Sequence, residues 1–444
     1  MERESAPIVE ERPCRLIRRR QRNPCEWVAA ARADSGKRTK IWSALAYLGA
    51  PRRRLCVRRP HPGPARFSRG ADFESCPTLP RVTTTAGVEP DRKGYVDLFR
   101  GLLIAHMALD HASLMFNRHR GGEELARAAP HVPADIWQFL TRFTGVPVAP
   151  GFCFMAGFMV AATTASRLAR GTPSDEITRR LVTRGLVLIA VDALIMGLPR
   201  MLMGFYSFMV LTLIGMSILL LVLLRNQPTA LLAALAVAIL GLHPLLDVSG
   251  LPVALRAALY EPVREGAVRS LYPLIPWFGV VLLGFVVGRD AETRERPSRF
   301  WLVLAALCAA VFVSVRAIGG YGNAYAHGGV LALDFWFFAK YPPDLPFLSF
   351  SLAAVFAALA GLEWLCRAGV PRALHPFVVF GRVPFFFYIV HFYVLGLTQG
   401  VLRIKLGLGG AYVIWLILLF VIYWPCAWYH RKKRERPNFV TRYV

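Results

Sequence analysis

An apolar stretch from Tyr95 to Phe116, YVDLFRGLLIAHMALDHASLMF, contains five ionisable side chains: Asp97, Arg100, His106, Asp110 and His111. The stretch is long enough to cross a bilayer as a helix, and an ionisable residue inside such a span costs about 2.5–3.5 kcal/mol on insertion scales. At about 100° per residue, Asp97, Arg100 and His111 fall on roughly one helical face, and Asp110 lies beside it. We therefore expect this polar line to face a cavity and to line a catalytic site.

His111 is the leading candidate for a catalytic group, because an imidazole changes charge near neutral pH and serves as a general acid or base. Asp110 or Asp97 would orient the ring or stabilise its cation, although adjacent helix residues do not face each other. The alternative is a histidine that is only hydrogen-bonded in a bundle core. Arg100 has a planar guanidinium suited to phosphate or pyrophosphate; its alternative role is an ion pair with Asp97 that neutralises two buried charges.

The composition places these residues in a membrane protein. The chain has 444 residues, of which 55% are hydrophobic and 12% are aromatic. Several apolar runs approach the ~20 residues that a spanning helix needs, so we predict an all-α fold, a polytopic transmembrane helical bundle. About ten spans are predicted, at residues 95–116, 143–166, 181–199, 203–224, 229–247, 271–288, 300–318, 345–366, 375–397 and 411–429.

The distribution of positive charge predicts how the bundle is oriented. With the N-terminus inside, cations concentrate in the inner connections and in the C-terminal tail, which contains Arg431, Lys432, Lys433 and Arg434. The outer connections carry fewer cations, as the positive-inside rule requires. We therefore predict a multi-pass protein of the cell (inner) membrane, with both termini in the cytoplasm.

Residues 1–90 form a separate basic segment, with 19 Lys and Arg against 9 Asp and Glu and without an apolar run long enough for a span. We expect a disordered cytoplasmic tail. The alternatives are a native start downstream, near Val82 or Val88, and a lipid-binding polybasic arm. The net charge of +25 does not indicate a nucleic-acid partner, because no recognition module accompanies it. The transmembrane domain is predicted to occupy residues 91–436.

Two later stretches place aromatic and cationic side chains at the entries of predicted spans. SLYPLIPWFGVVLLGFVVGR contains Tyr272 and Trp277, and KYPPDLPFLSFSL begins with Lys340 and Tyr341. All four are candidate substrate- or cofactor-binding residues. Prolines at a helix entry and small residues at a packing face are also ordinary membrane architecture, and Lys340 and Tyr341 alternatively anchor the membrane interface.

A third stretch, FGRVPFFFYIVHFYVLG, places Arg382 and His391 in one predicted span, and both join Asp97 and Arg100 as candidate binding residues. The two side chains are nine residues apart, or two and a half turns, so in a straight helix they face different ways.

Taken together, these stretches resemble a known family of bacterial membrane proteins, whose domain is similar to the catalytic domain of heparan-α-glucosaminide N-acetyltransferase. The resemblance covers about residues 93–430. It rests on five ordered blocks: YVDLFRGLLIAHMALDH, PGFCFMAGF from Pro150, YPLIPWFGVVLLGFVVGR from Tyr272, KYPPDLPFLSFSLA from Lys340 and GRVPFFFYIVHFYVL from Gly381.

The resemblance implies an acyltransferase that moves an acyl group, expected to be acetyl, from cytoplasmic acetyl-CoA to a hydroxyl or amine of a sugar-containing or other small acceptor outside the cytoplasm. His111 matches the family's DH element, in which an early membrane histidine is regarded as catalytic, and Asp110 precedes it. His111 would act as general base or as the carrier of an acetyl-histidine intermediate. The sequence around His111 differs from that of the lysosomal enzyme, so its glucosamine specificity is not carried over.

The rival class is a transporter or channel in which Asp97, Arg100 and His111 form a proton or substrate relay. Motifs of ATP-driven pumps and zinc proteases, GxxxxGK[ST] and HExxH, do not occur in the sequence. The eight cysteines show no CxxC pair or zinc spacing, so we expect no metal. Expected partners are membrane lipid, acyl-CoA and the acceptor, and a homodimer is compatible with the way membrane bundles generally pack.

Overall fold

The computed structural model describes residues 94–120, 133, 135–263, 268–290, 297–436, 438 and 441. The predictions made for residues 1–90 lie outside the described residues. The first eight helices are α1 (Gly94–Phe116), α2 (Ile136–Gly145), α3 (Val148–Ala169), α4 (Ser174–Val191), α5 (Leu198–Leu202), α6 (Val210–Leu224), α7 (Thr229–Leu242) and α8 (Val253–Leu259). They are followed by α9 (Leu274–Gly288), α10 (Pro297–Ile318), α11 (Leu345–Leu365), α12 (His375–Arg382), α13 (Pro384–Leu402) and α14 (Leu408–Glu435).

The helical membrane class is confirmed. By length and composition, five helical segments among the described residues can cross a membrane: Ile136–Ala169, Pro297–Ile318, Leu345–Leu365, Pro384–Leu402 and Leu408–Glu435. Three shorter apolar helices, Val210–Leu224, Thr229–Leu245 and Leu274–Gly288, accompany them. The count of ten spans and the placement of the termini stay predictions.

The all-α prediction omits one small feature, a parallel pair of strands β1 (Tyr206–Phe208) and β2 (Val268–Ser270). Their register pairs Tyr206 with Val268 and Phe208 with Ser270. Each strand has only three residues, too few to show the alternation of apolar and polar residues by which a strand is recognised in sequence.

Helix α1 lies between two apolar clusters. Its Phe99 and Leu103 belong to a cluster built around Trp277 and Trp301, whereas its Ile104 and Phe116 pack against α12, α13 and α14. Apolar residues on more than one side of α1 are thus buried within the protein. A helix that is buried in this way presents its polar line to the protein interior.

Close backbone contacts hold α1 to α12. A Cβ atom built on Gly101 would lie 1.7 Å from the Phe377 carbonyl oxygen, and one built on Gly381 would lie 1.8 Å from the Asp97 carbonyl oxygen. Only glycine permits this approach, the small-residue packing that is typical of membrane helices. The contact fixes α12 beside the N-terminal half of α1, where the polar line begins.

We expect Gly381→Ala to destabilise the protein by about 1–3 kcal/mol, because the added methyl group must push α1 and α12 apart. Thermal unfolding of the purified protein in detergent measures the effect. Gly361→Ala in α11 is the matched control, since its Cβ atom would meet no other atom within 4 Å. Equal melting temperatures for the two variants would contradict the contact.

Helix α4 ends in a π-helical turn, Asp192–Met196, which buries the Asp192 carboxylate completely. Asp192 Oδ2 accepts hydrogen bonds from the backbone N–H of Thr212 at 2.8 Å and from its hydroxyl at 2.7 Å. Thr212 lies in the first turn of α6, so the carboxylate caps the positive end of that helix. The Asp192 carboxylate, which lies within the predicted span 181–199, therefore joins α4 to α6.

Candidate active site

A cavity of about 230 Å³ runs along the polar line of α1. Arg100 and His111 both line it, and three helical turns separate these residues by roughly 16 Å. Between these two positions the wall is mainly apolar and includes Met107, Phe152, Met155, Met159, Leu188 and Ile214. The cavity therefore joins a basic end at Arg100 to a histidine end at His111 through an apolar middle section.

His111 forms a hydrogen bond with His391 of α13, with 2.9 Å between His111 Nδ1 and His391 Nε2. The two rings are nearly coplanar, at an interplanar angle of 5°. His111 is half-buried, whereas His391 is fully buried behind it. Two residues that are 280 positions apart in the sequence thus form one unit beside the cavity.

The hydrogen bonds of His391 determine which nitrogen of His111 accepts a proton. His391 Nδ1 lies 3.0 Å from the carbonyl oxygen of Phe387, which only accepts hydrogen bonds, so this nitrogen carries the hydrogen. In a neutral ring, His391 Nε2 is then an acceptor, and His111 Nδ1 donates to it. The lone pair of His111 is therefore on Nε2, the nitrogen that a general base uses.

Asp97 joins the other end of the polar line to α12. Its carboxylate accepts from Arg100 at 3.3 Å and from Arg382 at 3.2 Å. Arg382 is the last residue of α12, and α13 starts at Pro384 after a non-helical Val383, with φ −129° and ψ 46°. Because of this break, the predicted span 375–397 is not one straight helix, and both Arg382 and His391 contact residues of α1.

Asp110 lines the cavity next to His111 but forms its ion pair elsewhere. Its Oδ1 lies 2.9 Å from an Nη atom of Arg120, which is 5% exposed. The backbone carbonyl of Arg120 in turn accepts a hydrogen bond from Arg142 at 2.7 Å. The His111 ring is held by the hydrogen bond that it donates to His391, and the role of Asp110 as a catalytic partner stays a prediction.

The predicted aromatic and cationic candidates lie together at the His111 end. The Tyr341 hydroxyl donates to the Tyr272 hydroxyl at 3.4 Å, and Lys340 Nζ lies 5.1 Å from the centre of the Tyr341 ring. All three residues line the cavity. Trp277 is fully buried behind them, with its ring centre 5.2 Å from that of Tyr272, so it supports the tyrosine and does not face the cavity.

Arg184 of α4, which is not among the site residues predicted from the sequence, lines the cavity on the same side as Arg100. No hydrogen bond or ion pair to its guanidinium occurs within the part of the chain that the structure describes. The neighbouring charges that act on it, from Arg100 and Arg167, are positive, and Lys433 of α14 is close enough to be repelled by Arg184 and Arg100. An arginine within the predicted span 181–199 is itself the signal that would have identified it.

This basic cluster, formed by Arg100, Arg184 and Lys433, is suited to a polyanion. Like charges at close range repel one another, and Asp97 is shared between two arginines. Phosphate oxygens would satisfy the guanidinium donors of Arg184 with charge-assisted hydrogen bonds. Among the described residues, no group of three or more His, Cys, Asp or Glu side chains is arranged to hold a metal ion.

Comparison with known proteins identifies one family. The family model described as heparan-alpha-glucosaminide N-acetyltransferase, catalytic, matches residues 92–319, just over half of the chain. The matched region includes α1 with His111 and ends before Lys340, Arg382 and His391. A comparison with curated proteins found no match.

Proposed function

Because the chain belongs to the family of heparan-alpha-glucosaminide N-acetyltransferase catalytic domains, we propose that it is an integral membrane acyltransferase of the cell (inner) membrane. It transfers an acyl group, acetyl in the first instance, from cytoplasmic acyl-CoA to a hydroxyl or amine of an extracytoplasmic, sugar-containing acceptor. The bundle has ten spans with both termini in the cytoplasm, so the Arg100 end of the cavity faces inward and the His111 end faces outward.

One observation supports this proposal: His111, paired with His391, lines a cavity whose opposite end is a basic cluster. The donor's phosphates bind at Arg100, Arg184 and Lys433, and its pantetheine arm lies along the apolar middle section. The thioester then reaches His111 without the nucleotide having to enter the membrane. Acyl-CoA has this division of chemistry, a polyanionic nucleotide at one end and a reactive thioester at the end of a flexible arm.

The proposed reaction uses His111 Nε2 as general base. The acceptor hydroxyl or amine gives its proton to Nε2 as its oxygen or nitrogen forms a bond to the thioester carbonyl carbon. The tetrahedral intermediate collapses, the carbon–sulfur bond breaks, and the proton passes from the imidazolium to the thiolate of CoA. His391 accepts the hydrogen bond from His111 Nδ1 throughout, so it holds the ring and stabilises its cation.

Acetyl-CoA turnover tests the proposal directly. The purified protein is incubated with acetyl-labelled acetyl-CoA and a panel of amino sugars and sugar alcohols, and both free CoA and labelled acceptor are measured. We expect CoA release that depends on an added acceptor. If no acceptor becomes labelled and no CoA is released, and if the protein takes up a solute in proteoliposomes, the results would instead support the transporter class.

We expect His391→Ala to lower kcat roughly ten- to a hundredfold while the KM for acetyl-CoA is unchanged, as when an outer hydrogen-bond partner of a functional histidine is removed. His391 acts through His111 and is a positioning residue, so its loss changes the tautomer and orientation of the base. The pH profile of kcat should shift in His391→Ala, whereas a purely structural residue would lower the amount of active protein and leave the profile in place.

A further inference from the structure

The last helix, α14, keeps one long face uncovered. Its large apolar side chains that are half exposed or more include Ile417, Phe420, Val421, Trp424 and Trp428. At 100° per residue, these five positions fall within about a third of the helix circumference. Because α14 is long and apolar enough to cross a membrane, this face, here called the apolar stripe, meets lipid.

The apolar stripe ends in two cations. Lys432 lies one turn beyond Trp428 on the same face, and its Nζ atom is 4.9 Å from the centre of the Trp428 ring. Arg431 is exposed beside Lys432. Within the part of the chain that the structure describes, neither side chain forms an ion pair or a hydrogen bond. Both cations are therefore available to an anionic ligand.

The opposite face of the same two turns points into the protein. Tyr429 is buried, and its ring stacks on that of Phe386 in α13, with 4.3 Å between the ring centres and an interplanar angle of 4°. Lys433 is half-buried and belongs to the basic cluster of the cavity. The stack fixes the rotation of the helix end, so two successive lysines point to different places, Lys433 to the cavity and Lys432 to the lipid side.

The order of side chains along the apolar stripe matches the order of groups in a phospholipid. From Phe420 to Lys432 is twelve residues, or roughly 18 Å, over which the side chains change from apolar to aromatic to cationic. An acyl chain, an interface and a phosphate follow in the same order. Glu435 is exposed on this face one turn beyond Lys432, so a lipid that covers the stripe meets the cations first.

Other occupants match this face less well. A soluble anion would leave the apolar stripe uncovered. A second copy of the chain, joined by a two-fold axis along this helix, would bring Lys432 close to its own counterpart. An anionic phospholipid has both the chain and the charge, and each Lys or Arg near the bilayer surface contributes to the attraction of such lipids.

We propose that the end of α14 binds an anionic phospholipid, with the phosphate at Lys432 and Arg431, the interface at Trp428 and the acyl chain along Trp424 and Phe420. The inference goes beyond the proposed function and does not rest on it, because the site is on the outward face of α14 and the cavity is on the other.

Quenching of Trp428 fluorescence tests the site directly. The protein is placed in phosphatidylcholine nanodiscs that contain increasing amounts of either phosphatidylglycerol or phosphatidylcholine with brominated acyl chains. Emission from Trp428 is obtained by difference from a Trp428→Phe protein made in the same background. We expect brominated phosphatidylglycerol to bind beside Trp428 at least about fivefold more tightly than brominated phosphatidylcholine, and Lys432→Gln to lower that preference about fivefold.

Lys433→Gln is the matched control, since it removes the same charge from the next residue on the inward face and should keep the preference. Lys432→Arg should also keep it, and equal melting temperatures show that the variants are folded. Equal quenching by the two lipids, or equal losses in Lys432→Gln and Lys433→Gln, overturns the inference. It is also overturned if soluble glycerol phosphate abolishes the preference, or if neither lipid quenches Trp428, as when a second copy covers this face.

Discussion

The substitution His111→Ala should lower the rate of acetyl transfer about 10²–10⁴-fold, the contribution expected of a general base. His111 both lines the cavity and forms the hydrogen bond with His391. Its removal takes away the Nε2 atom that accepts the acceptor's proton. The KM for acetyl-CoA should change little, because the phosphates bind at the other end of the cavity.

The measurement is acceptor-dependent release of CoA by purified His111→Ala and wild-type protein at equal concentration. His375→Ala is the matched control, since His375 is an exposed histidine of α12 that bonds only to the Val370 carbonyl in the described region. If His111→Ala released CoA at the wild-type rate, His111 would not be the general base. Label on the wild-type protein in the absence of acceptor that hydroxylamine releases, as expected of a reactive N-acyl imidazole, and its absence from His111→Ala, would identify an acetyl-histidine intermediate.

A second large effect is expected at the opposite end of the cavity. Arg184→Gln should raise the KM for acetyl-CoA roughly 10- to 100-fold, since a hydrogen bond to a charged group contributes about 1.5–3 kcal/mol. Arg184 has no partner within the described residues other than the positive charges around it, so a bound phosphate is its natural counter-charge. The variant relieves repulsion in the empty protein, and its thermal stability without ligand should be equal to or higher than that of the wild type.

Arg179→Gln separates this effect from a general loss of positive charge, because Arg179 is exposed on the same helix and does not line the cavity. Binding of acetyl-CoA is compared with that of dephospho-CoA and pantetheine. We expect the wild type to discriminate among the three in order of their phosphate number, and Arg184→Gln to discriminate less. Identical affinities of Arg184→Gln and Arg179→Gln for acetyl-CoA would place the nucleotide elsewhere.

The sequence alone identified the membrane class, the family and the polar line of α1. The membrane class depends on composition and the polar line on the 3.6-residue period of one helix, which are local properties of the chain, whereas the family was indicated by the resemblance of five ordered sequence blocks. The 3.6-residue period places Asp97, Arg100 and His111 on one face of α1. On this face Asp97 accepts a hydrogen bond from Arg100, and Arg100 and His111 line the cavity. Asp192 and Arg184 are also charged residues in an apolar stretch, which indicates that each faces the protein interior. The sequence does not show which residue each of them contacts.

The tertiary structure decided which helices supply the partners of that face. A straight span over 375–397 would turn Arg382 and His391 to different sides, whereas the break at Val383 and Pro384 lets Arg382 meet Asp97 and His391 meet His111. The close approach of α12 to α1 at Gly101 and Gly381 sets the distance at which this happens. Periodicity fixes directions within one helix, but a hydrogen bond between residues 280 positions apart depends on how helices pack, and no local pattern encodes that packing.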